Sequence, residues 1–246
     1  MEETLNVKKQ LKISIPIATE NFINILMTLV DTLVIATLGT NELGAIGAMA
    51  VVLNIMQMSI ESINVSNMAL LAKSQGEKNQ KQVKLLTGNA VMITILIAMI
   101  MILVVYGIRP IFPSLFQVDK ICITYITIRL IGFLPSSVVT ILTGHQRTIG
   151  KQGNIMILRI IAVIGNLLLD WLVVTLHYGV AGVAWVTVGI DTILSMYLMI
   201  KSKRTVTYQF QKSITKEIFQ LFKWNCVERM VSKIDEFVFN IFVSRI

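Results

Sequence analysis

The segment NIMILRIIAVIGNLLLDWLVVTL, residues 154–176, is long enough to cross a bilayer, which takes about 20 mostly apolar residues. Inside it an amide, Asn166, and a carboxylate, Asp170, stand among aliphatic residues and Trp171. A carboxylate at the centre of a bilayer costs about 2.5–3.5 kcal/mol on insertion scales, so an acid kept there is a functional hypothesis by default. The surrounding sequence favours lipid over water. Of 246 residues, 54% are hydrophobic and only 15% are charged, with a mean hydropathy of +0.73, which is not the composition of a soluble surface.

Six candidate spans emerge at about 13–38, 44–72, 85–107, 121–143, 154–176 and 179–201. The second is the weakest, because NIMQMSIESINVSNMALLAK (54–73) carries Glu61 with several amides and serines. A seventh segment, 217–245, is amphipathic, with Lys223, Arg229, Lys233, Asp235 and Glu236, and needs partner helices to cover its polar face. The predicted fold is all-α: a polytopic transmembrane bundle whose six-helix lobe runs over 13–201. It is preceded by a short segment 1–12 and followed by a linker 202–216 and the first helix, 217–246, of a further lobe. The opening MEETLNVKKQLK resembles a signal peptide, but the run after it is too long, contains Asp31 and lacks a clear cleavage site.

The net charge of +8 would point to nucleic acid in a soluble protein, but here the basic residues gather in alternate connections between spans. Lys8, Lys9 and Lys12 precede the first span; Lys73, Lys78, Lys81 and Lys84 follow the second; Arg147 and Lys151 follow the fourth; Lys201, Lys203, Arg204, Lys212 and Lys216 follow the sixth. The other connections hold only Arg109 and Lys120. By the positive-inside rule the N-terminus is cytoplasmic, the protein is expected in the plasma (inner) membrane, and no nucleic-acid partner is expected. Connections one and five, near GTNE (39–42) and HYG (177–179), are short enough to make antiparallel neighbours of spans 1–2 and 5–6.

At a rise of about 1.5 Å per residue, Asp31 lies about 10 Å below the outer end of the first span. Asp170 lies at a similar depth, and Thr187, on the returning sixth span, at about 12 Å. At about 100° per residue, Glu20, Asn24 and Asp31 fall within about 40° of one another, with Thr28 nearby, and Arg159, Asn166 and Asp170 share a similarly narrow sector. The first and fifth spans each therefore have one face that should avoid lipid. The alternative role for Asn24, Thr28 and Asn166 is helix-to-helix hydrogen bonding. Arg159 is expected to snorkel toward the cytoplasmic end, while Arg129 has two routes open, snorkelling or pairing with an acid. Glu61 and Asp191 either line the same cavity or serve packing, and the methionines read as apolar filling rather than an adaptable surface. Overall the charges at membrane depth lean acidic.

Cys122 and Cys226, like His145 and His177, are too far apart in sequence for a disulfide framework or a zinc motif. No Ser/His/Asp set, His-x-x-x-His pair or phosphate-binding glycine loop is visible, so an enzyme is not expected and neither is an organic cofactor.

IPIATENFINILMTLVDTLVIATLGTNELGAIGAMA (15–50), GHQRTIGKQGNIMILRIIAVIGNLLLDWLVV (144–174) and HYGVAGVAWVTV (177–188) resemble the first, fourth-to-fifth and sixth helix regions of the multidrug and toxic compound extrusion (MATE) transporters. The resemblance implies a secondary antiporter of two six-helix lobes, exporting organic cations, drugs or other toxic compounds in exchange for H⁺ or Na⁺. It implies further that Asp31, Asn166, Asp170 and Thr187 form a cation site in the N-terminal lobe, with Glu20, Asn24, Glu61 and Asp191 as candidate cavity-lining residues. Burial and a second nearby carboxylate both disfavour ionisation, so the acid pair suits a proton; with the Asn166 and Thr187 oxygens it also suits Na⁺, a hard ion. The loop RTIGKQGN (147–154) departs from the family in lacking the acid and proline often found after the glycine.

The family has twelve helices and this chain stops at FNIFVSRI (239–246), inside the seventh. ISIPIATENFIN (13–24) and QLFKWNCVERMVS (220–232) share a glutamate after a similar lead-in, Glu20 and Glu228, a weak internal repeat that sets the start of a second lobe near 217. The expected partners are thus an organic small molecule, membrane lipid, and a second lobe in cis or in trans. Two competing readings are a lipid-linked oligosaccharide flippase of related fold, which would rely on basic residues in its central cavity, and a non-transporting fragment.

Overall fold

The computed structural model describes residues 40–243 and, before them, positions 14, 15, 18, 19, 22, 33, 36, 37 and 39; at 230 and 232–243 it describes the backbone. The expected first span therefore lies outside the described residues, and with it Glu20, Asn24, Thr28 and Asp31. Long helices run over Thr40–Gly76 (α1), Gln80–Ile108 (α2), Ile121–Thr148 (α4), Gln152–Thr175 (α5), Gly179–Ser202 (α6) and Lys212–Val243 (α7). A 3₁₀ turn, Arg109–Ile111, and a short helix, Phe112–Phe116 (α3), follow α2. No strand occurs among the described residues. Among the described residues five stretches are long and apolar enough to cross a membrane, including α1 with all its amides, and the chain is a multi-pass membrane protein.

Local chemistry sets the breaks. Asn79 caps α2, its side-chain oxygen accepting from the Gln82 amide at 3.1 Å. Pro110 and Pro113, which have no N–H to donate, occupy the first turns of the 3₁₀ turn and of α3, so α2 does not continue unbroken. Gly150, at φ +81°, reverses the chain between α4 and α5 in a left-handed conformation that glycine adopts freely. α7 starts at Lys212, ahead of the expected 217, so the non-helical linker is only 203–211.

α4 is the central helix. It packs against α6, α1 and α2, with Ile126, Leu130, Ile141 and Leu142 wholly enclosed beside Met56, Ile60 and Ile63 of α1 and Leu86 of α2. The short α5–α6 connection does make those two helices neighbours, but α4 packs far more extensively on α6 than on α5. Between helices in lipid there is little hydrophobic gain, because acyl chains are as apolar as leucine, so association depends on close fit. Gly132 provides it: a Cβ there would lie 2.6 Å from Val188 Cγ2 and 3.3 Å from Val188 Cα. Pro135 sits within α4 and removes one backbone donor; nearby, the Ser137 hydroxyl donates to the Phe133 carbonyl at 2.6 Å.

The linker folds back along α2. The Thr207 amide donates to the Lys84 carbonyl at 3.1 Å. The fully buried Asn89 donates to the Gln209 carbonyl and accepts from the Gln211 amide, both at 2.7 Å. Beneath it, Gly88 meets the Thr207 carbonyl so closely that any side chain would collide.

Two outcomes are expected. Gly132→Ala overpacks the α4–α6 seam by about 1–3 kcal/mol and lowers the melting temperature in detergent, and Val188→Ala added to it recovers part of the loss. Asn89→Ala releases the linker, and limited trypsin digestion then cleaves faster at Lys203 and Arg204 while the helices stay protected.

Candidate functional site

α5 is built inside out by the standards of a soluble helix. Leu167, Leu168, Leu169, Trp171 and Leu172 are exposed on the bundle surface, whereas Asn166 and Asp170 are each only 1% exposed. Ile155 is the one other fully buried residue on this helix. In hydrocarbon this is the stable arrangement, because leucine costs nothing there and an amide or carboxylate must find partners inside. The four-residue spacing stacks the two polar groups on one face, and the Asn166 amide donates directly to an Asp170 carboxylate oxygen. The amide oxygen of Asn166 is buried with no hydrogen-bond partner among the described residues, so an acceptor remains facing the interior.

Thr187 lies on α6, half-buried, its hydroxyl donating to the Val183 carbonyl at 3.2 Å. Its level relative to α5 follows from a contact nearer the α5–α6 turn, where a Cβ on Gly182 would collide with Val173. From that contact Asp170 is three residues back along α5 and Thr187 five residues on along α6, or about 4.5 and 7.5 Å. Thr187 therefore sits axially between Asp170 and Asn166. Asp31, the fourth residue of the expected site, lies outside the described residues.

Two cavities open along α1 and α4. One, of 190 Å³, is lined by Asn54 and Gln57 of α1, Arg129, Gly132 and Ser136 of α4, and Asp191 of α6. Asp191 is hydrogen-bonded by the Ser136 hydroxyl and lies within electrostatic reach of both Arg129 and Arg159. The second, of 430 Å³, continues from Gln57 along Glu61 and Asn64 to Thr140, Thr143, Arg147, Arg159 and Arg229. Glu61 and Asp191 thus line adjoining cavities that share Gln57, not a single one. Glu61 pairs with Arg229 of α7 at 2.8 Å, and one turn away Asn225 donates to Ser66 at 2.7 Å, fixing α7 to α1.

These positions bear on three expectations. Arg159 faces the inner cavity and Asp191 instead of snorkelling outward, because an interior carboxylate is a better partner than the interface at that depth. Arg129 lines the first cavity with Asp191, within electrostatic reach of that acid. The cavity walls do not lean acidic: among the described residues, Arg129, Arg147, Arg159 and Arg229 face Glu61 and Asp191. Arg147 had been counted with a loop and Arg229 with a poor span, yet both enter the cavity. A sequence signal existed in Asn54, Gln57, Glu61 and Asn64, whose spacings of three, four and three mark one polar face of α1.

Residues 16–172 match the MatE family, and the chain belongs to it. No curated protein sequence matches the chain. Among solved structures it is similar to the Vibrio cholerae MATE transporter VcmN in its bent form, with a TM-score of 0.86 at 18% identity over 99% of this chain and 59% of that one. A MOP superfamily transporter from Pyrococcus furiosus Vc1 (DSM3638), described as having a binding pocket of reverse polarity, gives 0.83 at 18% identity over 92% and 53% of the two chains. An outward-facing multidrug resistance MATE transporter of the MOP superfamily gives the same values. The fold is that of a MATE N-terminal lobe with the helix that follows it, and the chain spans just over half the length of the solved transporters it matches.

The α1–α7 contact can be tested directly. In a Cys226→Ser background, Ser66→Cys combined with Asn225→Cys is expected to crosslink rapidly on mild oxidation, read as a mobility shift abolished by reductant.

Proposed function

We propose that this protein is the ion-coupling lobe of a secondary antiporter that moves amphipathic organic compounds out of the cell, across the cytoplasmic membrane, in exchange for H⁺ or Na⁺. One observation carries the reading: on a helix whose apolar side chains face outward, the two most deeply buried polar groups are Asn166 and Asp170, bonded to each other. A carboxylate enclosed at membrane depth, with an amide oxygen and a nearby hydroxyl at its level, offers the oxygen donors that a proton or a hard monovalent cation requires. In this reading Asp31 supplies the second carboxylate from the first span, and Thr187 an additional oxygen. Neutralising the acids by proton or Na⁺ shifts the packing of the first span, and an ion drives transport only through its unequal affinity for the two conformations. The rest of the transport path belongs to a second lobe, in cis or in trans, and the N-terminus is cytoplasmic.

A lipid-linked oligosaccharide flippase is the second reading, and the arginines of the cavity wall favour it. The buried Asp170 does not, since flipping a lipid-linked anion has no evident use for an enclosed acid.

Asp170→Asn keeps the size and the hydrogen-bonding shape of the side chain but removes its titration. Ion-driven efflux by the transporter carrying it is expected to fall about tenfold or more, the size of an ordinary coupling free energy. Full ion-dependent efflux in both Asp170→Asn and Asp31→Asn, assayed with imposed H⁺ and Na⁺ gradients, would sink the coupling assignment.

A further inference from the structure

α7 begins with a basic face turned away from the bundle. At about 100° per residue, Lys212, Lys216 and Lys223 fall within about 40° of one another, and all three are exposed. The opposite face carries Ile214 and Ile218, both buried, and Phe222, which packs against the main hydrophobic cluster. Phe219, 44% exposed, and Trp224, 74% exposed, flank the lysines. Glu217 and Glu228 fall about 100° or more round the helix from the lysine stripe. A basic stripe edged by aromatic rings is the pattern of a helix that lies in a membrane interface.

The level of this face follows from two contacts. The Gln211 amide donates to Asn89, nine residues into α2 and about 13 Å from its start. Asn225 donates to Ser66, ten residues before the end of α1 and about 15 Å from it. α1 and α2 meet at the short turn 77–79, so the two anchor points stand at nearly the same height. The fourteen residues from Gln211 to Asn225 extend about 21 Å as helix, so this part of α7 crosses the inner ends of α1 and α2 instead of running along them. Lys84, the last basic residue before the apolar run of α2, marks the edge of the hydrocarbon and lies only about 7.5 Å from the level of Asn89. The lysine stripe is thus held at the boundary between headgroups and acyl chains.

The local charge balance is one-sided over the whole sequence at this end. Residues 201–223 carry six basic side chains against the single acid Glu217, and residues 73–84 carry four against Glu77. Segment 1–12, outside the described residues, carries Lys8, Lys9 and Lys12 against Glu2 and Glu3 and does not reverse the sign. Basic residues at a membrane surface attract anionic lipid, each contributing about 1 kcal/mol, or about fivefold.

We infer that the exposed face of α7 between Lys212 and Trp224 binds anionic phospholipid, its lysines meeting the phosphate headgroups while Phe219 and Trp224 rest against the upper acyl chains. Long lysine stems suit this position, since they cover apolar surface and still deliver their charge to the headgroups. Bound lipid then holds the segment that connects the six-helix lobe to α7 at the membrane surface, a role separate from ion coupling at Asp170.

The test is tryptophan quenching in reconstituted bilayers. With Trp171→Phe and Trp185→Phe, Trp224 is the only one of the three tryptophans left. The protein is placed in phosphatidylcholine bilayers containing phosphatidylglycerol, with bromine on the acyl chains of one lipid or of the other. At low salt the anionic lipid is expected to occupy the site beside Trp224 at least about fivefold more strongly than the zwitterionic one, and the preference falls as salt is raised. Lys216→Gln with Lys223→Gln lowers it toward equality, whereas Lys216→Arg with Lys223→Arg retains it. Trp171, exposed on α5 and left alone by Trp185→Phe with Trp224→Phe, is expected to show no preference. Equal quenching of Trp224 by the two lipids, a preference untouched by the glutamine pair, the same preference at Trp171, or a Trp224 that neither lipid quenches would each overturn the assignment. Because both leaflets hold both lipids and no transport is measured, the result is independent of orientation and of the Asp170→Asn efflux assay.

Discussion

Hydrocarbon offers no hydrogen bonds, and every polar group on a spanning helix must therefore turn toward the protein. That constraint orients each helix of this bundle. On α5 it sends Leu168 and Trp171 outward and draws Asn166 and Asp170 inside, where the amide and the carboxylate bond to each other. On α1 it lines Asn54, Gln57, Glu61 and Asn64 along the inner cavities, so this amide-bearing helix becomes a wall of both. On α7 it brings Arg229 and Asn225 against α1, and an amphipathic segment acquires a place at the bundle.

Once the polar faces point inward, the helices must still hold together without a hydrophobic driving force between them. α4 meets that need at the centre, through close backbone approach at Gly132 and a continuous row of enclosed aliphatic side chains. Outside the bundle, Asn89 secures the linker to α2 with hydrogen bonds through both ends of its side-chain amide. The segment leading into α7 is thus tied down at Asn89, and α7 itself at Glu61 and Ser66.

Two electrostatic environments result. Asp170 is enclosed on the inner face of α5, where the Asn166 amide donates to it. The cavities along α1 and α4 are lined by guanidiniums and acids, with space for a larger molecule.

The sequence by itself located the long apolar helices among the described residues, because a bilayer admits few alternatives and the lengths are read directly from hydropathy. It also determined that Asn166 and Asp170 share a face, since a spacing of four allows nothing else in a helix, and the axial level of Thr187 followed from rise per residue. Lateral packing was not legible. Short connections identify α5 and α6 as neighbours, but the extensive packing of α4 on α6 and α1 joins helices distant in sequence, and depends on a glycine whose fit against Val188 exists only when both are in place. The arginines of the cavity wall are illegible in the sequence for the same reason. Counting residues by depth put Arg147 in a loop and Arg229 on a doubtful span, while only the tertiary structure, by crossing α7 over α1 beside the end of α4, decided that both guanidiniums point into one space.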